Sequence, residues 1–268
     1  MSAVLFEKRG HVALITLNRP EAHNAISPEV AVRLADAWET VRTDDEIRVA
    51  IVTGAGEGAF CSGADLARLI PLITGARQPE DEWDQKVVQD PTLSMRALLR
   101  NFDPEKPIIA AVNGSALAGG MEFVVGTDIR VAAENAQFGL REAVWGLFPI
   151  GGSTARLPRQ MPLAAALEIM LTGTPIDARR AYELGFVNHV VPREQVLEKA
   201  MAIADTIAAN GPLAVKAIRR SVRACLGMPD AQSLDRELEI GMPVFATRDA
   251  REGPRAFKEK RPPKFEGR

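Results

Sequence analysis

Short runs of branched apolar residues in the first half of the chain predict the strands of a buried sheet. Residues 11–17 (HVALITL) alternate weakly between apolar and polar positions, and Asn18-Arg19-Pro20 end this run. Three later runs are almost entirely apolar, which is typical of strands that are covered on both faces. These runs are 49–53 (VAIVT), 107–113 (PIIAAVN) and 129–133 (IRVAA).

Apolar residues spaced three or four positions apart predict helices between and after these strands. Ser27 is a favourable N-cap and Pro28 suits the first helical turn, so the first helix is predicted to begin there. Further helices are predicted at 93–100, 163–171, 178–184, 194–209, 213–226, 234–247 and 251–258. Residues 70–92 contain three prolines and an acidic patch around Trp83, and predict a loosely structured excursion.

Alternation of strands with helices indicates the α/β class. The strand pattern stops near residue 210, after which only helical spacing is present. We therefore expect an α/β core over residues 1–210 and a helical region over 211–268. A length of 268 residues suits one large domain, or one domain with an extension.

Composition and charge exclude several classes of function. The net charge is -2, from 33 basic and 35 acidic residues, so no global attraction to nucleic acid or an anionic membrane is expected. No apolar run approaches the ~18 residues that a membrane span needs, and the start has no signal-peptide pattern. Two cysteines far apart in sequence predict reduced thiols and a cytoplasmic protein.

Two glycine-containing loops follow predicted strands and share one design. Ser62–Asp65 follows VAIVT and Ala118–Gly120 follows PIIAAVN, each before a predicted helix. Free backbone N–H groups at such positions favour negative charge, and two facing loops would form an oxyanion hole. Residues 54–58 (GAGEG) lack the spacing of a dinucleotide fingerprint, so they predict an ordinary flexible turn.

Two glutamates in apolar surroundings are candidate acid–base groups. Glu122 lies in the first turn after the second loop, and Glu142 lies 20 residues on. The alternatives remain open for each: Glu122 as a carboxylate that satisfies helix N–H groups, and Glu142 as a surface residue or an ion-pair partner of Arg141. Burial would raise the pKa of Glu122 and the helix dipole would lower it, so the sequence leaves the direction undecided. The three histidines lack metal-ligand spacing.

Several stretches, in order along the chain, resemble the crotonase superfamily, the enoyl-CoA hydratase/isomerase group. The resemblance covers essentially the whole chain and implies an α/β spiral of strand–strand–helix turns. It also implies a helical C-terminal region that packs homotrimers, often paired into hexamers. The stretches are LNRPEAHNAIS, AFCSGADL, AAVNGSALAGGMEF, TDIRVAAENAQFGLREAVWGLFPIGGSTARL, GFVNHVVP and AFKEKRPPKFEGR.

The resemblance implies an enoyl-CoA hydratase, which adds water reversibly and syn to a trans-2-enoyl-CoA. The oxyanion-hole amides carry over to Ala64 and Gly119. Glu122 would orient and deprotonate the water that attacks C3, and Glu142 would deliver the proton to C2. The resemblance implies no metal and no cofactor apart from coenzyme A, which is part of the substrate. Its CoA-binding positions correspond to His23, Ala25, Ala64, Asp65, Leu66, Gly119, Phe257 and Lys260.

This sequence departs from the family pattern in three places. Ile150 replaces a glycine of the stretch PGAGG, AGGMEF replaces the commoner GGGCEL, and residues 67–92 form a longer excursion where the acyl tail exits. These departures leave the acyl group open. The alternatives within the family are an isomerase or another enolate reaction, and a non-catalytic CoA-binding or RNA-binding member.

Overall fold

The computed structural model describes residues 2–268 and contains two sheets. The larger sheet has the strand order β1-β2-β3-β5-β7-β10, and the smaller one has the order β4-β6-β8-β9. Only the β1–β2 and β8–β9 pairs are antiparallel. The strands are β1 Val4–Arg9, β2 Val12–Leu17, β3 Val49–Gly54, β4 Ala59–Cys61, β5 Ile108–Val112, β6 Ser115–Leu117, β7 Ile129–Ala133, β8 Gln137–Gly139, β9 Ile176–Asp177 and β10 His189–Val191.

Twelve α-helices surround these sheets in the part of the chain that the structure describes. They are α1 Pro28–Thr43, α2 Leu69–Ile73, α3 Glu82–Gln89, α4 Thr92–Ala97, α5 Gly119–Val125, α6 Ser153–Arg156, α7 Leu163–Thr172, α8 Ala178–Glu183, α9 Val196–Ala209, α10 Pro212–Cys225, α11 Asp230–Gly241 and α12 Arg248–Lys258. Short 3₁₀ turns at Pro20–Ala22, Glu142–Trp145, Leu157–Arg159, Arg193–Gln195 and Met242–Ala246 connect them.

Pairs of consecutive strands repeat along the chain and build the spiral that the resemblance implied. β3, β5 and β7 join the larger sheet, whereas β4, β6 and β8, which follow them directly, join the smaller one in parallel. A helical segment then returns the chain to the next pair. Residues 54–58 connect β3 to β4 rather than to a helix, which agrees with the turn predicted there and excludes a dinucleotide fingerprint.

The strands predicted at 11–17, 49–53, 107–113 and 129–133 are confirmed as β2, β3, β5 and β7. The predicted N-cap is also confirmed, since the Ser27 hydroxyl accepts the Val30 N–H at 3.3 Å. The remaining strands were not predicted: the side chains of β1 are mostly exposed, and β4, β6, β8, β9 and β10 have only two or three residues each.

The prediction of a loosely structured excursion at 70–92 is wrong. Residues 69–89 contain α2 and α3, and Asp81 caps α3 by accepting the N–H groups of Trp83 and Asp84. The Asp84 carboxylate is fully buried and forms a two-point ion pair with Arg77 at 2.6 and 2.8 Å. The polar residues that indicated a loop therefore stabilise two short helices, because Arg77 binds both Asp84 of α3 and the Arg68 carbonyl just before α2.

Aromatic packing fixes α5 in the core. Phe123 points inward from α5, and the centroid of its ring lies 6.0 Å from the ring centroids of both Trp38 and Phe60. Trp38 is fully buried, and its indole N–H donates to the Ala97 carbonyl at 3.1 Å. Burial of three large side chains contributes several kcal/mol and leaves α5 little freedom to shift. The helix that contains Glu122 is thus rigidly held.

Only helices follow β10 in residues 192–268, as the sequence predicted. Buried Arg219 of α10 joins this region to the α/β core through ion pairs with Asp103 and Asp128. The division at residue 210 into two domains stays a prediction. None of the helices in residues 2–268 is long and apolar enough to cross a membrane.

Candidate active site

The first glycine loop lies against the chain segment that follows β2. The Ile26 N–H donates to the Gly63 carbonyl at 2.8 Å, and the Asp65 N–H donates to the Ile26 carbonyl at 3.0 Å. Between these two bonds, Ala64 presents an N–H group that donates to no acceptor in residues 2–268. The helix predicted after this loop is α2, which begins at Leu69, so Ala64 lies in the loop and not at the helix N-terminus.

The second loop turns sharply into α5. Ala118 has a φ of 48° and a ψ of −126°, a conformation that residues with a Cβ rarely adopt. The Ala118 N–H donates to the Gly139 carbonyl at 2.8 Å, which holds this turn in place. The next amide, that of Gly119, is the first of α5 and has no acceptor in the described part of the chain.

The two unpaired amides lie close together. A methyl group placed on Gly119 would lie 3.4 Å from the Ala64 nitrogen, and one placed on Gly63 would lie 2.9 Å from the Gly119 nitrogen. Two convergent N–H donors can hold one oxygen atom and stabilise negative charge on it. The closeness of these two nitrogens is what the predicted oxyanion hole requires, and that role stays a prediction.

Glu122 lies one helical turn beyond these amides and is 4% exposed. Its carboxylate lies at the start of α6 rather than on the N–H groups of α5, since the Ser153 N–H donates to Oε1 at 3.5 Å. Burial, aided by the charge of Glu142 and opposed by Ser153 and the Gly151 backbone, raises the pKa of Glu122 to about 7. The direction left open by the sequence is therefore upward.

Glu142 begins the 3₁₀ turn at Glu142–Trp145 and is 8% exposed. Its Oε2 atom has no hydrogen-bond partner in residues 2–268, and no ion pair with Arg141 forms. Burial raises the pKa of Glu142. A buried carboxyl group with one free oxygen beside a second such group is suited to proton transfer.

Most of the expected CoA-binding residues lie near the two loops, and the other two lie at α12. His23 and Ala25 lie beside the first loop, where the Ser62 N–H donates to the His23 carbonyl at 3.1 Å. Arg19 fixes this region, since it donates to the Ala25 carbonyl and to the Asp65 carboxylate, both at 2.9 Å.

Leu66 adjoins Asp65 and is 59% exposed, so it can contact a ligand at the surface. The structure therefore places Ala64, Asp65, Leu66, Gly119, His23 and Ala25 in one region. Phe257 and Lys260 are both exposed on or just after α12, and no hydrogen bond in residues 2–268 connects them to the two loops. Their participation stays a prediction.

Three residues at the site were not singled out in the sequence. Asn24 is buried, and its amide donates to the carbonyls of Ala55 and Ala59, which shapes the first loop. Gly151 lies close to the Glu122 carboxylate, because a methyl group on Gly151 would lie 2.7 Å from Oε2. Ser153 is fully buried next to the same carboxylate. All three lie in stretches that carry the family resemblance, Asn24 in LNRPEAHNAIS and the other two in FPIGGSTARL, although spacing alone gave none of them a role.

Two neighbouring amides without acceptors and two buried acids therefore lie together in an α/β spiral, an arrangement suited to stabilising an oxyanion and moving protons. The sequence profile described as Enoyl-CoA hydratase/isomerase matches residues 7–268. The chain therefore belongs to the enoyl-CoA hydratase/isomerase family, within the crotonase superfamily.

Similar proteins of known name agree with this membership. The chain is 47% identical to Enoyl-CoA hydratase EchA19 of Mycobacterium tuberculosis, over 98% of this chain and 96% of that relative. It is 38% identical to (E)-benzylidenesuccinyl-CoA hydratase of Thauera aromatica, over 98% and 99% of the two chains. A crystal structure of enoyl-CoA hydratase from Mycobacterium tuberculosis superposes with a TM-score of 0.89 at 39% identity, covering all of both chains.

Proposed function

We propose that this protein adds water reversibly and syn across the double bond of a trans-2-enoyl-CoA thioester. The observation that carries the proposal is the pairing of two unoccupied amides, Ala64 and Gly119, with two buried acids, Glu122 and Glu142. Relatives at 47% and 38% identity bear the names of hydratases that act on CoA thioesters, which supports the same class of substrate.

The thioester oxygen accepts the N–H groups of Ala64 and Gly119, which draws electron density from C3 and stabilises the enolate that forms. Ionised Glu122 removes a proton from water as the water oxygen bonds to C3. Protonated Glu142 gives its proton to C2 as the enolate collapses. The two acids together hold one proton before and after the reaction, and passage of that proton from Glu122 to Glu142 resets the site.

Both acids have raised pKa values, which favours proton exchange at this site near neutral pH. A pKa of about 7 makes Glu122 a stronger base than an ordinary glutamate while leaving much of it ionised at neutral pH. Repulsion between two neighbouring carboxylates favours the state with a single negative charge. Burial raises the pKa of Glu142, which favours the protonated form that an acid needs in order to protonate carbon.

The proposal extends to the binding partners of the chain. CoA is bound as part of the substrate by His23, Ala25, Asp65 and Leu66, and no other cofactor or metal takes part. The segment 251–268, with seven basic and three acidic residues and containing Phe257 and Lys260, suits the phosphates of CoA. We further propose a cytoplasmic homotrimer or hexamer that needs neither nucleic acid nor a membrane.

Single substitutions of the two acids test the reaction. We expect Glu122→Gln and Glu142→Gln each to lower the rate of crotonyl-CoA hydration by about 10²–10⁴, because each removes one acid–base group. Loss of the conjugated thioester absorbance measures the rate. Exposed Glu134 provides the matched control, since Glu134→Gln leaves the site unchanged. Near-parental turnover in both site variants would refute the assignment.

Isomerisation of a double bond is the second candidate, because Glu142 alone has a free buried oxygen that can move a proton between C2 and C4. This reaction needs one working acid. It would be indicated if Glu122→Gln converts a 3-enoyl-CoA at the parental rate while Glu142→Gln does not. CoA binding without turnover on any enoyl-CoA would instead indicate a non-catalytic family member.

A further inference from the structure

The Ser153 side chain is a buried hydroxyl next to the reacting groups for which neither the fold nor the proposed mechanism gives a use. Ser153 is fully buried, and its Oγ atom makes no hydrogen bond of ordinary geometry in residues 2–268, although it lies near enough to the Glu122 carboxylate to lower the pKa of that group. A buried hydroxyl without a partner costs about 1–3 kcal/mol, so its presence calls for a compensating function.

The backbone places Ser153 directly against Glu122. The Ser153 nitrogen lies 3.5 Å from the Glu122 Oε1 atom, at the long end of hydrogen-bonding range. On the other side, Gly151 leaves no room for a side chain beside Oε2. Gly152 between them has a φ of 113°, which turns the chain so that both neighbours face the carboxylate.

From this geometry we propose that the Ser153 hydroxyl is a positioning group that donates a hydrogen bond to the ionised carboxylate of Glu122 and aims it at the reacting water. The inference deepens the proposed function and rests on it for the identity of the water. Ser153 acts through Glu122 and does not itself exchange a proton with the substrate.

No other group on the neighbouring elements can take this place. β4, β6 and α6 pack against α5. Burial raises the pKa of the Cys61 thiol of β4 to about 12, so this group stays neutral, and β6 has no titratable side chain. Arg156 of α6 donates instead to the carbonyls of Leu99 and Arg100, at 2.8 and 3.0 Å.

Glu142 is the remaining charged neighbour, and its charge raises the pKa of Glu122. Ser153 has the opposite effect, because a donor stabilises the ionised carboxylate. The two neighbours therefore shift the pKa of Glu122 in opposite directions. Loss of the hydroxyl removes one of the donors that oppose burial and Glu142, whereas the backbone N–H groups of Ser153 and Gly151 remain.

Infrared titration measures this effect without relying on turnover. The carbonyl band of protonated Glu122 is identified as the band that Glu122→Gln removes, and its loss is followed as pH rises. We expect Ser153→Ala and Ser153→Gly to raise the midpoint by about half to one pH unit. At the parental midpoint the ionised fraction then falls roughly two- to fivefold. The exposed neighbour Thr154 gives the control, since Thr154→Ala leaves the midpoint unchanged.

The pH profile of kcat/KM for crotonyl-CoA hydration provides the second readout. The acidic limb of Ser153→Ala is expected to move upward by the same amount as the infrared midpoint, with parental rates recovered at high pH. An unchanged midpoint in Ser153→Ala and Ser153→Gly overturns the inference. A parent protein that hydrates no enoyl-CoA refutes the proposed function, whereas the infrared result still decides the role of Ser153.

Discussion

Glu122 is the residue at which burial and chemistry conflict most directly. A carboxylate that is 4% exposed, with the charge of Glu142 beside it, is costly to ionise in the folded protein. A base must nevertheless be ionised to remove a proton from water. The structure accommodates this conflict with a pKa of about 7, and the cost must be detectable in the stability of the fold.

Substitution of Glu122 by glutamine is therefore expected to stabilise the protein in a pH-dependent manner. Between its ordinary value of 4.5 and about 7, Glu122 binds more protons when folded than when unfolded. The free energy of unfolding of the parent thus falls as pH rises through this window. Relative to the parent, Glu122→Gln should gain up to about 3 kcal/mol by pH 8.

Urea unfolding at a series of pH values measures this gain. Exposed Glu134 again provides the control, since Glu134→Gln should show no gain that grows with pH. A stability difference between Glu122→Gln and the parent that is the same at pH 5 and pH 8 would contradict the burial of an ionised carboxylate.

Ala118 is a second residue whose conformation opposes its type. Its φ of 48° suits glycine, and strain of this kind costs about 1–3 kcal/mol. Ala118→Gly should remove the strain and lose about 0.5–1 kcal/mol through the flexibility of the unfolded chain. We expect a net gain of about 1 kcal/mol in the free energy of unfolding.

Thermal or urea unfolding of Ala118→Gly checks this prediction against Ala67→Gly. Ala67 is exposed and has an ordinary backbone conformation, so glycine there should only destabilise. Equal losses in the two variants would show that Ala118 is not strained.

At the scale of single residues, the sequence predicted which groups lie near one another better than it predicted the pKa values of the two acids. The apolar neighbours of Glu122 indicated burial, but burial and the helix dipole oppose each other and only coordinates show which effect dominates. Ser153 could not be recognised, because its placement depends on the turn at Gly152 and on a carboxylate 31 residues earlier.

Close approach of two elements, α5 and β4, aligns the helix that contains Glu122 with the first loop. Gly120 makes this approach possible, since a methyl group there would lie 2.1 Å from the Cys61 carbonyl oxygen. The Cys61 backbone cannot move away easily, because β4 is fully buried. Any side chain at Gly120 must therefore separate the two elements.

Gly120→Ala is expected to destabilise the fold by about 3 kcal/mol or more, as overpacking against buried backbone does. The matched control is Gly241→Ala at the end of α11, where no atom lies within 4 Å of the added methyl group. Chemical unfolding of both variants makes the comparison. Similar stability of the two variants would contradict the tight packing of α5 on β4.

Strands that consist of a continuous apolar run were predicted well, whereas helices that are held by polar contacts were not. The sequence indicated β3, β5 and β7 because their residues are buried on every side. It failed at α2 and α3, where the buried ion pair between Arg77 and Asp84 replaces an apolar face. Such a pair forms between two particular side chains and leaves no periodic signal.

The whole molecule repeats one structural unit without repeating its sequence. Three strand pairs enter the same two sheets in the same order, whereas the residues that fill them follow different local packing. The spiral was expected from family resemblance and not from periodicity, since α/β alternation is shared by many other folds.

Exposed apolar stripes on the C-terminal helices bear on the proposed assembly. Ile218 and Val222 lie one turn apart on α10, and Leu234 and Leu238 lie one turn apart on α11, all more than 60% exposed. α10 and α11 pack on each other, so the four side chains belong to neighbouring helices. Apolar groupings of this kind on a single chain are typical of subunit interfaces.

We expect light scattering to give a mass three or six times the 29.0 kDa of one chain. Leu234→Glu combined with Leu238→Glu should shift the mass toward that of one chain, because two charges would be buried at the interface. Val88→Glu, at an exposed site on α3, is the control. A parent protein with the mass of a single chain would contradict the assembly.

The central claim is that two backbone amides hold one thioester oxygen while two acids reach the adjacent carbon atoms from one side. A crystal structure of the protein with an unreactive acyl-CoA analogue measures this directly. The account predicts the thioester oxygen about 2.7–3.1 Å from the nitrogens of both Ala64 and Gly119. It also places the carboxylates of Glu122 and Glu142 on the same face of the C2–C3 bond. A thioester oxygen bound away from either amide, or carboxylates on opposite faces, would contradict it.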